Sequence, residues 1–151
     1  MKKGNYKSGI PALTPKTRRD IFSKKKRSAI MASIKSKNTA FEKELFHLLR
    51  KRGLKFRTHY RGVIGNPDIA IPKSHKAVFL HSDFWHGWRL PVWEHILPSE
   101  FWKIKLKKNR ARDRKVVLAL RRKGWKVMIT WGHSFRKNPE DSVARIVRFL
   151  K

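Results

Sequence analysis

Residues 67–83, PDIAIPKSHKAVFLHSD, decide how the rest of the chain is read. Two short runs rich in β-branched or aromatic residues, PDIAIP (67–72) and KAVFLHSD (76–83), are joined by turn chemistry at PKSH (72–75). A third such run, LKFRTHY (54–60), precedes them across the turn RGVIGN (61–66). The pattern predicts a meander of three antiparallel strands.

Outward from the meander the periodicity changes. TAFEKELFHLLRKRG (39–53) places Phe41, Leu45, Leu48 and Leu49 at helical spacing. Thr39 and Glu42 form a capping box at its start, and Gly53 ends it. SKKKRSAIMASIKS (23–36) predicts a shorter helix with Ile30, Met31 and Ile34 on one side. Residues 1–25, with scattered Lys, Arg, Gly and Pro, read as a basic arm that is mobile without its partner. Beyond the meander, LPVWEHILPSE (90–100) contains two prolines and predicts an irregular crossing loop. FWKIKLKKNRARDRKVVLALRRKG (101–124) predicts one long helix or two in succession. WKVMITW (125–131) reads as a strand covered on both faces, and Pro139 to Leu150 as a last helix. The expected fold class is α/β: a mixed β-sheet flanked by helices, one domain over 26–151.

Composition narrows the function. Thirty-nine Lys and Arg against ten Asp and Glu give a formal charge of +29 in 151 residues. That imbalance costs self-repulsion and suits a polyanionic partner. Nucleic acid comes first, because neutralised phosphates release condensed counterions; an anionic membrane surface comes second, and a merely basic surface is the bland account. Six tryptophans favour nucleic acid, since flat rings stack on or wedge between bases. The absence of cysteine excludes disulfides and thiolate zinc sites. No run approaches the ~20 apolar residues of a membrane span, and the N-terminus has no hydrophobic signal core. A cytoplasmic protein acting on nucleic acid is expected, without a membrane partner.

With so few carboxylates, position is informative, and Glu42, Asp68, Asp83 and Asp113 stand out. Asp68 follows Pro67 at the start of a strand, ahead of the hairpin return. Nucleases place a hard cation on such an aspartate to polarise the phosphate, although a turn-capping aspartate has the same local sequence. In HSDFWHG (81–87), His81 and His86 offer two groups that move protons near neutral pH; either imidazole can instead bond a carbonyl. Asp113, in NRARDRKV, reads first as a salt bridge to Arg110 three residues back, or else as an acid supporting an imidazolium. Glu42 already has work as a cap.

Six pieces in order give these residues a family likeness: RSAIMASIKSKNTAFEKEL, GLKFR, GNPDIAI, VFLHSDFWHG, EFWKIKLKKNRARDRKV and GWKVMITW, running from about Arg27 to Trp131. The chain resembles the very-short-patch repair (Vsr) endonucleases. The resemblance implies a restriction-endonuclease-like core and nicking of double-stranded DNA beside a thymine–guanine mismatch. It implies Asp68 as the principal Mg2+ ligand, with the backbone carbonyl of Leu80 as a second. His86 then matches the histidine that activates water, Asp113 its supporting acid, Glu42 the glutamate near the water around the metal, and His81 the first histidine of the pair. Phe84, Trp85 and Trp102 match aromatic rings pushed into the base stack from the major groove; Met31 and Ile34 match apolar residues offered to the minor groove. Lys108, Arg110 and Arg112 complete the expected DNA-binding set.

One departure is large. The family's structural zinc is held by three cysteines and a histidine, where this chain has Asp83, Trp88, Leu90 and His133. No structural zinc is expected; Asp83 and His133 are instead expected to pair, with Trp88 and Leu90 packing beside them. Further expectations are a monomer and possible repair-protein partners. The alternatives are a Vsr-like homing or mobile-element endonuclease cutting a matched site, and a nucleic-acid-binding protein without catalysis.

Overall fold

The computed structural model describes residues 23–33, 37–97 and 99–151. Residues 1–22 of the expected arm, and Ile34, lie outside the described residues. Helix α1 (Lys24–Ser33) begins inside the segment expected as arm, and none of its residues is buried. Helix α2 (Ala40–Lys51) follows, with Thr39 Oγ1 accepting from the Glu42 amide. The left-handed Gly53, at φ 78°, closes it.

The meander forms with shorter strands than expected: β1 (Arg57–Thr58), β2 (Ile69–Ile71) and β3 (Lys76–His81), paired antiparallel in order. Between β1 and β2 the chain turns through Gly65 and Asn66, both at positive φ. A Cβ at Gly65 would lie 2.2 Å from Val116, so only glycine fits this turn, which delivers Pro67 and Asp68 to the sheet. The segment expected as an irregular loop contains helix α3 (Leu90–Trp93) and a 3-10 turn over Glu94–Ile96. Pro91 sits in the first turn of α3, where its missing N–H costs nothing, so it starts a helix here instead of breaking one.

Residues 100–122 form one helix, α4 (Glu100–Arg122), and then β4 (Lys126–Trp131) pairs parallel with β3 at the edge of the sheet. Strand β4 sends side chains to both faces as expected, but at the edge only Thr130 is fully buried. Helices α5 (Gly132–Lys137) and α6 (Pro139–Leu150) complete the chain, α5 being absent from the sequence reading. The four-stranded mixed sheet is thus covered on both faces. Leu45, Leu49, Val78, Leu80, Phe135 and Ile146 pack between sheet and α2, α5 and α6, while Ala77, Phe79, Leu120 and Trp125 pack against α4. Alternation along β3 sends Val78 and Leu80 one way, Ala77 and Phe79 the other.

Candidate active site

The candidate side chains collect where β3 ends. Asp68 stands just before β2, and its Oδ2 accepts from the Leu80 amide at 2.7 Å. That bond crosses the hairpin and locks one carboxylate oxygen. The other, Oδ1, faces His59 Nδ1 at 3.7 Å, and His59 Nε2 lies 3.4 Å from Glu42 Oε2. Glu42, Asp68 and His59 therefore bring a potential metal donor each to within 4.8 Å of one another. Burial, helped by the charge of Glu42, raises the Asp68 carboxyl from 3.8 to about 6, against the opposing Leu80 amide and the charges of His59 and His86. An aspartate whose anion is this poorly solvated is well matched to a divalent cation, so the donors present fit such an ion. Glu42 is buried and keeps its capping role, with one change from the expected box. Its Oε2 accepts from the amide of Asn38, and its Oε1 from the Thr39 hydroxyl.

A second cluster lies on the other side of the β3 terminus. His86 Nδ1 donates to Asp113 Oδ2 at 2.7 Å, and its ring stacks on His81 at 3.8 Å between centroids, nearly parallel. The expected Arg110–Asp113 salt bridge is corrected here. Trp102, Leu106, Asn109, Asp113, Val117 and Leu120 recur every three or four residues along α4, and this stripe faces inward. Asp113 thus turns toward the 82–88 loop and meets His86, with Arg112 at 3.5 Å as its second partner. Asn109, one turn back, donates to the Trp85 carbonyl at 3.0 Å. The loop is held close by Gly87, since a Cβ there would lie 2.8 Å from Arg110 Cδ.

Burial raises the Asp113 carboxyl, but the hydrogen bond from His86 and the charges of His86, His81 and Arg112 outweigh it and hold the carboxyl below its ordinary range. His81 lies deeper than His86. It is 5% exposed, and burial, then the charge of His86, lowers it from 6.5 to about 3. Its ring packs flat against His86, and its donor atoms lie within 4.8 Å of those of His86 and Asp113.

Next to this cluster is an aromatic lobe. Phe84 and Trp85 are half-buried, with ring centroids 5.0 Å apart. Trp102 is not available as a wedge: it is 7% exposed and packs with Leu90, Leu97 and Leu106, at 6.0 Å from Phe84 and 5.8 Å from Trp85. It backs the other two rings, as the inward stripe of α4 requires. Met31 is half-buried against the same lobe, which ties α1 to it. Lys108, Arg110 and Arg112 are exposed along α4. Beside the lobe, Asp83 Oδ1 accepts from His133 Nδ1 at 2.6 Å and from the His133 amide at 3.2 Å, while Oδ2 accepts from Arg136. Trp88 lies 4.2 Å from the His133 ring, so the expected pair forms with Trp88 beside it, while Leu90 packs with Leu97, Trp102 and Leu106. With both oxygens of Asp83 so engaged and no thiolate at hand, these residues do not make a zinc donor set.

His59 is the residue that sequence reasoning missed. The β1–β2 register, Thr58 with Ile69, carries on to set His59 beside Asp68, and the His59 amide donates to the Asp68 carbonyl at 3.1 Å. Only that register points to it.

A mixed sheet that gathers an aspartate, a hairpin amide and a His–Asp pair at one strand end is the arrangement of a hydrolase able to hold a cation and activate water. Comparison with known proteins gives the family. The family model "DNA mismatch endonuclease Vsr" matches residues 19–90. The chain is 36% identical over 115 residues to the Type II nicking enzyme V.XorIIP of Xanthomonas oryzae pv. oryzae, covering 74% of this chain and 83% of that protein. It is 35% identical over 118 residues to the DNA mismatch endonuclease Vsr of Escherichia coli, covering 78% and 76%. To the Type II nicking enzyme V.NmeAIP of Neisseria meningitidis it is 34% identical over 136 residues, 87% of this chain and 96% of that protein. The chain belongs to the Vsr endonuclease family. Its substrate is DNA, and a divalent metal is general to such nucleases. No helix among the described residues is long and apolar enough to cross a membrane.

Proposed function

We propose that this protein nicks one strand of duplex DNA beside a thymine–guanine mismatch, in the cytoplasm, with Mg2+ held by Asp68 and the Leu80 carbonyl. One observation carries the chemistry: His86 Nδ1 is bonded to Asp113 at 2.7 Å, beside the aspartate suited to a cation. An ionised carboxylate only accepts, so the proton on Nδ1 is fixed and Nε2 is the basic nitrogen. Nε2 takes a proton from water as the water oxygen attacks phosphorus. The phosphorus–O3′ bond breaks and the departing O3′ takes a proton from solvent water, leaving a 5′-phosphate and a 3′-hydroxyl. Asp113 orients the ring and stabilises the imidazolium that forms. The cation at Asp68 supplies charge stabilisation for the phosphate and the leaving oxygen. His81 holds the His86 ring in plane from behind.

Mismatch selection rests on Phe84 and Trp85. Unstacking a base step costs a few kcal/mol and is cheapest at a mismatch, so rings that must enter the stack favour mismatched DNA. Met31, Lys108, Arg110 and Arg112 are the further DNA contacts.

The test is cleavage of labelled duplexes, matched or carrying one thymine–guanine pair, with Mg2+, for the wild type and Asp68→Ala. Mismatch-only nicking that Asp68→Ala abolishes is the expected result. Cutting of matched DNA at a defined site would transfer the protein to the site-specific or mobile-element class. Salt-sensitive binding without cleavage, the same in both proteins, would leave a binder.

A further inference from the structure

His59 occupies a place that capping and packing do not explain. Its backbone is left-handed, at φ 46°, which costs a non-glycine residue of order 1 kcal/mol and is kept where the surroundings demand it. Three contacts hold the ring. Its edge meets Phe46 at 5.8 Å between centroids, and Nε2 lies 3.3 Å from Asn38 Oδ1 and 3.4 Å from Glu42 Oε2. Asn38 is itself left-handed, at φ 54°, and its amide donates to Glu42 Oε2 at 2.7 Å. Two unusual backbone positions are therefore spent on one imidazole.

Donor and acceptor roles settle which nitrogen is which. Both neighbours of Nε2 are acceptors, a side-chain carbonyl and a carboxylate, so Nε2 carries the proton. In the neutral ring Nδ1 then presents a lone pair, and what it faces is Asp68 Oδ1, another acceptor, at 3.7 Å. Two acceptors pointing at each other with no proton to share are a repulsive pair unless a cation comes between them. An imidazole that donates from one nitrogen to a carboxylate or carbonyl while offering the other to a metal is the usual support of a histidine ligand. The spacing fits as well: donors about 2.1 Å from one ion stand roughly 3 to 4 Å apart.

We propose that His59, through Nδ1, is a ligand of the divalent cation held by Asp68, with Asn38 and Glu42 fixing its tautomer. This rests on the reading of Asp68 as the metal site. The resulting nitrogen–oxygen donor set accepts Mg2+ but binds Mn2+ and Co2+ more tightly, since imidazole suits the later ions and carboxylate and carbonyl oxygens suit Mg2+. Glu42 thereby acts as a positioning residue, through His59.

The experiment uses the full chain without DNA and reads binding, not cleavage. Mn2+ and Co2+ affinities are measured by titration calorimetry, and nitrogen coupling to bound Mn2+ by pulsed electron paramagnetic resonance. Wild type, His59→Ala, His59→Gln, His86→Ala and Asp68→Ala are compared, with circular dichroism to confirm folding. Expected is a nitrogen coupling that survives His86→Ala and disappears in both His59 variants. Co2+ affinity should fall about tenfold or more with His59 removed, and Mg2+ affinity much less. The glutamine variant keeps a polar side chain in the pocket should alanine fail to fold. Binding that needs Asp68 but shows no nitrogen coupling, or coupling lost only in His86→Ala, overturns the role of His59 and leaves Asp68 as the metal site. Binding that Asp68→Ala leaves unchanged overturns both.

Discussion

Asp68 and Asp113 flank the same strand end and are in opposite electrostatic states. The Asp68 anion is disfavoured by burial and by Glu42, and its carboxyl rises to about 6. Asp113 is partly buried too, but it has His86 at 2.7 Å, and its carboxyl is held below the ordinary range. One carboxylate has a hydrogen-bonded imidazole within the chain; the other has an amide and an imidazole nitrogen 3.7 Å away. The difference separates two jobs that sequence alone leaves alike. On the proposed function, the compensated Asp113 orients His86, whereas the uncompensated Asp68 recruits an ion from solution. The placement of cations follows from the fold: the inward stripe of α4 brings Asp113 to His86, while the β1–β2–β3 hairpins bring Asp68 near Glu42.

Replacing Asp68 by Asn tests the uncompensated side and should have the largest effect. Losing the metal's charge stabilisation, worth several kcal/mol, should cut nicking by about 10³-fold or more. Stability should move the other way. With its folded value above its unfolded one, Asp68 contributes nothing well below 3.8, where both states are protonated. As pH rises from 3.8 to about 6 the unfolded chain releases this proton first, so the metal-free fold loses stability. At about 1.4 kcal/mol per unit, the cost above pH 6 is roughly 3 kcal/mol. Asp68→Asn should therefore melt higher than wild type in chelator at pH 7.5, and a divalent cation should raise the wild-type melting temperature but not that of the variant. Equal melting in chelator would show that Asp68 is not strained.

Asp113→Asn probes the compensated side, with a smaller expected effect. The amide can still touch His86, but it no longer stabilises the imidazolium, and single-turnover nicking should fall about 10²-fold or more. Metal affinity should hardly change. In the wild type, the stability that Asp113 contributes is present above its ordinary value of 3.8 and disappears as pH falls through its lower folded value. Acid melting curves of the variant should lack that loss. If Asp113→Asn weakened metal binding as much as Asp68→Asn, the division between orienting and recruiting carboxylates would fail.

The hairpin carrying Asp68 was legible because alternation and turn residues are local signals, and so was α2, with its apolar spacing and cap. Asp113 was legible in principle. The three-and-four spacing from Trp102 through Leu120 points it inward, but Arg110 at three residues back is the nearer partner in sequence and masks the stripe. Trp102 belongs to the same stripe, hence its burial behind Phe84 and Trp85. His59 could not be read, because the turn over residues 60–67 separates it from Asp68 and only the strand register aligns them. The fate of His81 depends on burial and on stacking with His86, neither of which its local sequence records. Local periodicity therefore delivered the scaffold and one carboxylate, while the partners of each titratable group came from tertiary packing.

Asp83 extends the comparison to a third carboxylate and to the smallest effect. Its burial is outweighed by hydrogen bonds from His133 and Arg136, which hold its carboxyl below the ordinary range, so it belongs with Asp113 as a compensated group. Here, however, the compensation is structural. The contacts join the loop after β3 to α5 across 50 residues of sequence. Asp83→Ala strips acceptors from the His133 amide and ring and from Arg136. The buried share of that loss is worth about 1–3 kcal/mol, and the exposed Arg136 contact adds little. The expected result is a lower melting temperature and faster amide exchange in residues 83–90, with nicking at low temperature within a few-fold of wild type. The same variant should erase the stability that wild type loses as pH drops below about 3.8, because an anion bonded in the fold is easier to protonate once unfolded. An unchanged melting temperature, or one equivalent of tightly held zinc in the wild-type protein by elemental analysis, would mean that the brace is not the Asp83–His133 pair. A large loss of nicking in a variant that remains folded would mean that this loop positions His86 as strongly as Asp113 does, and the aspartate at 83 would then count with the site and not with the scaffold.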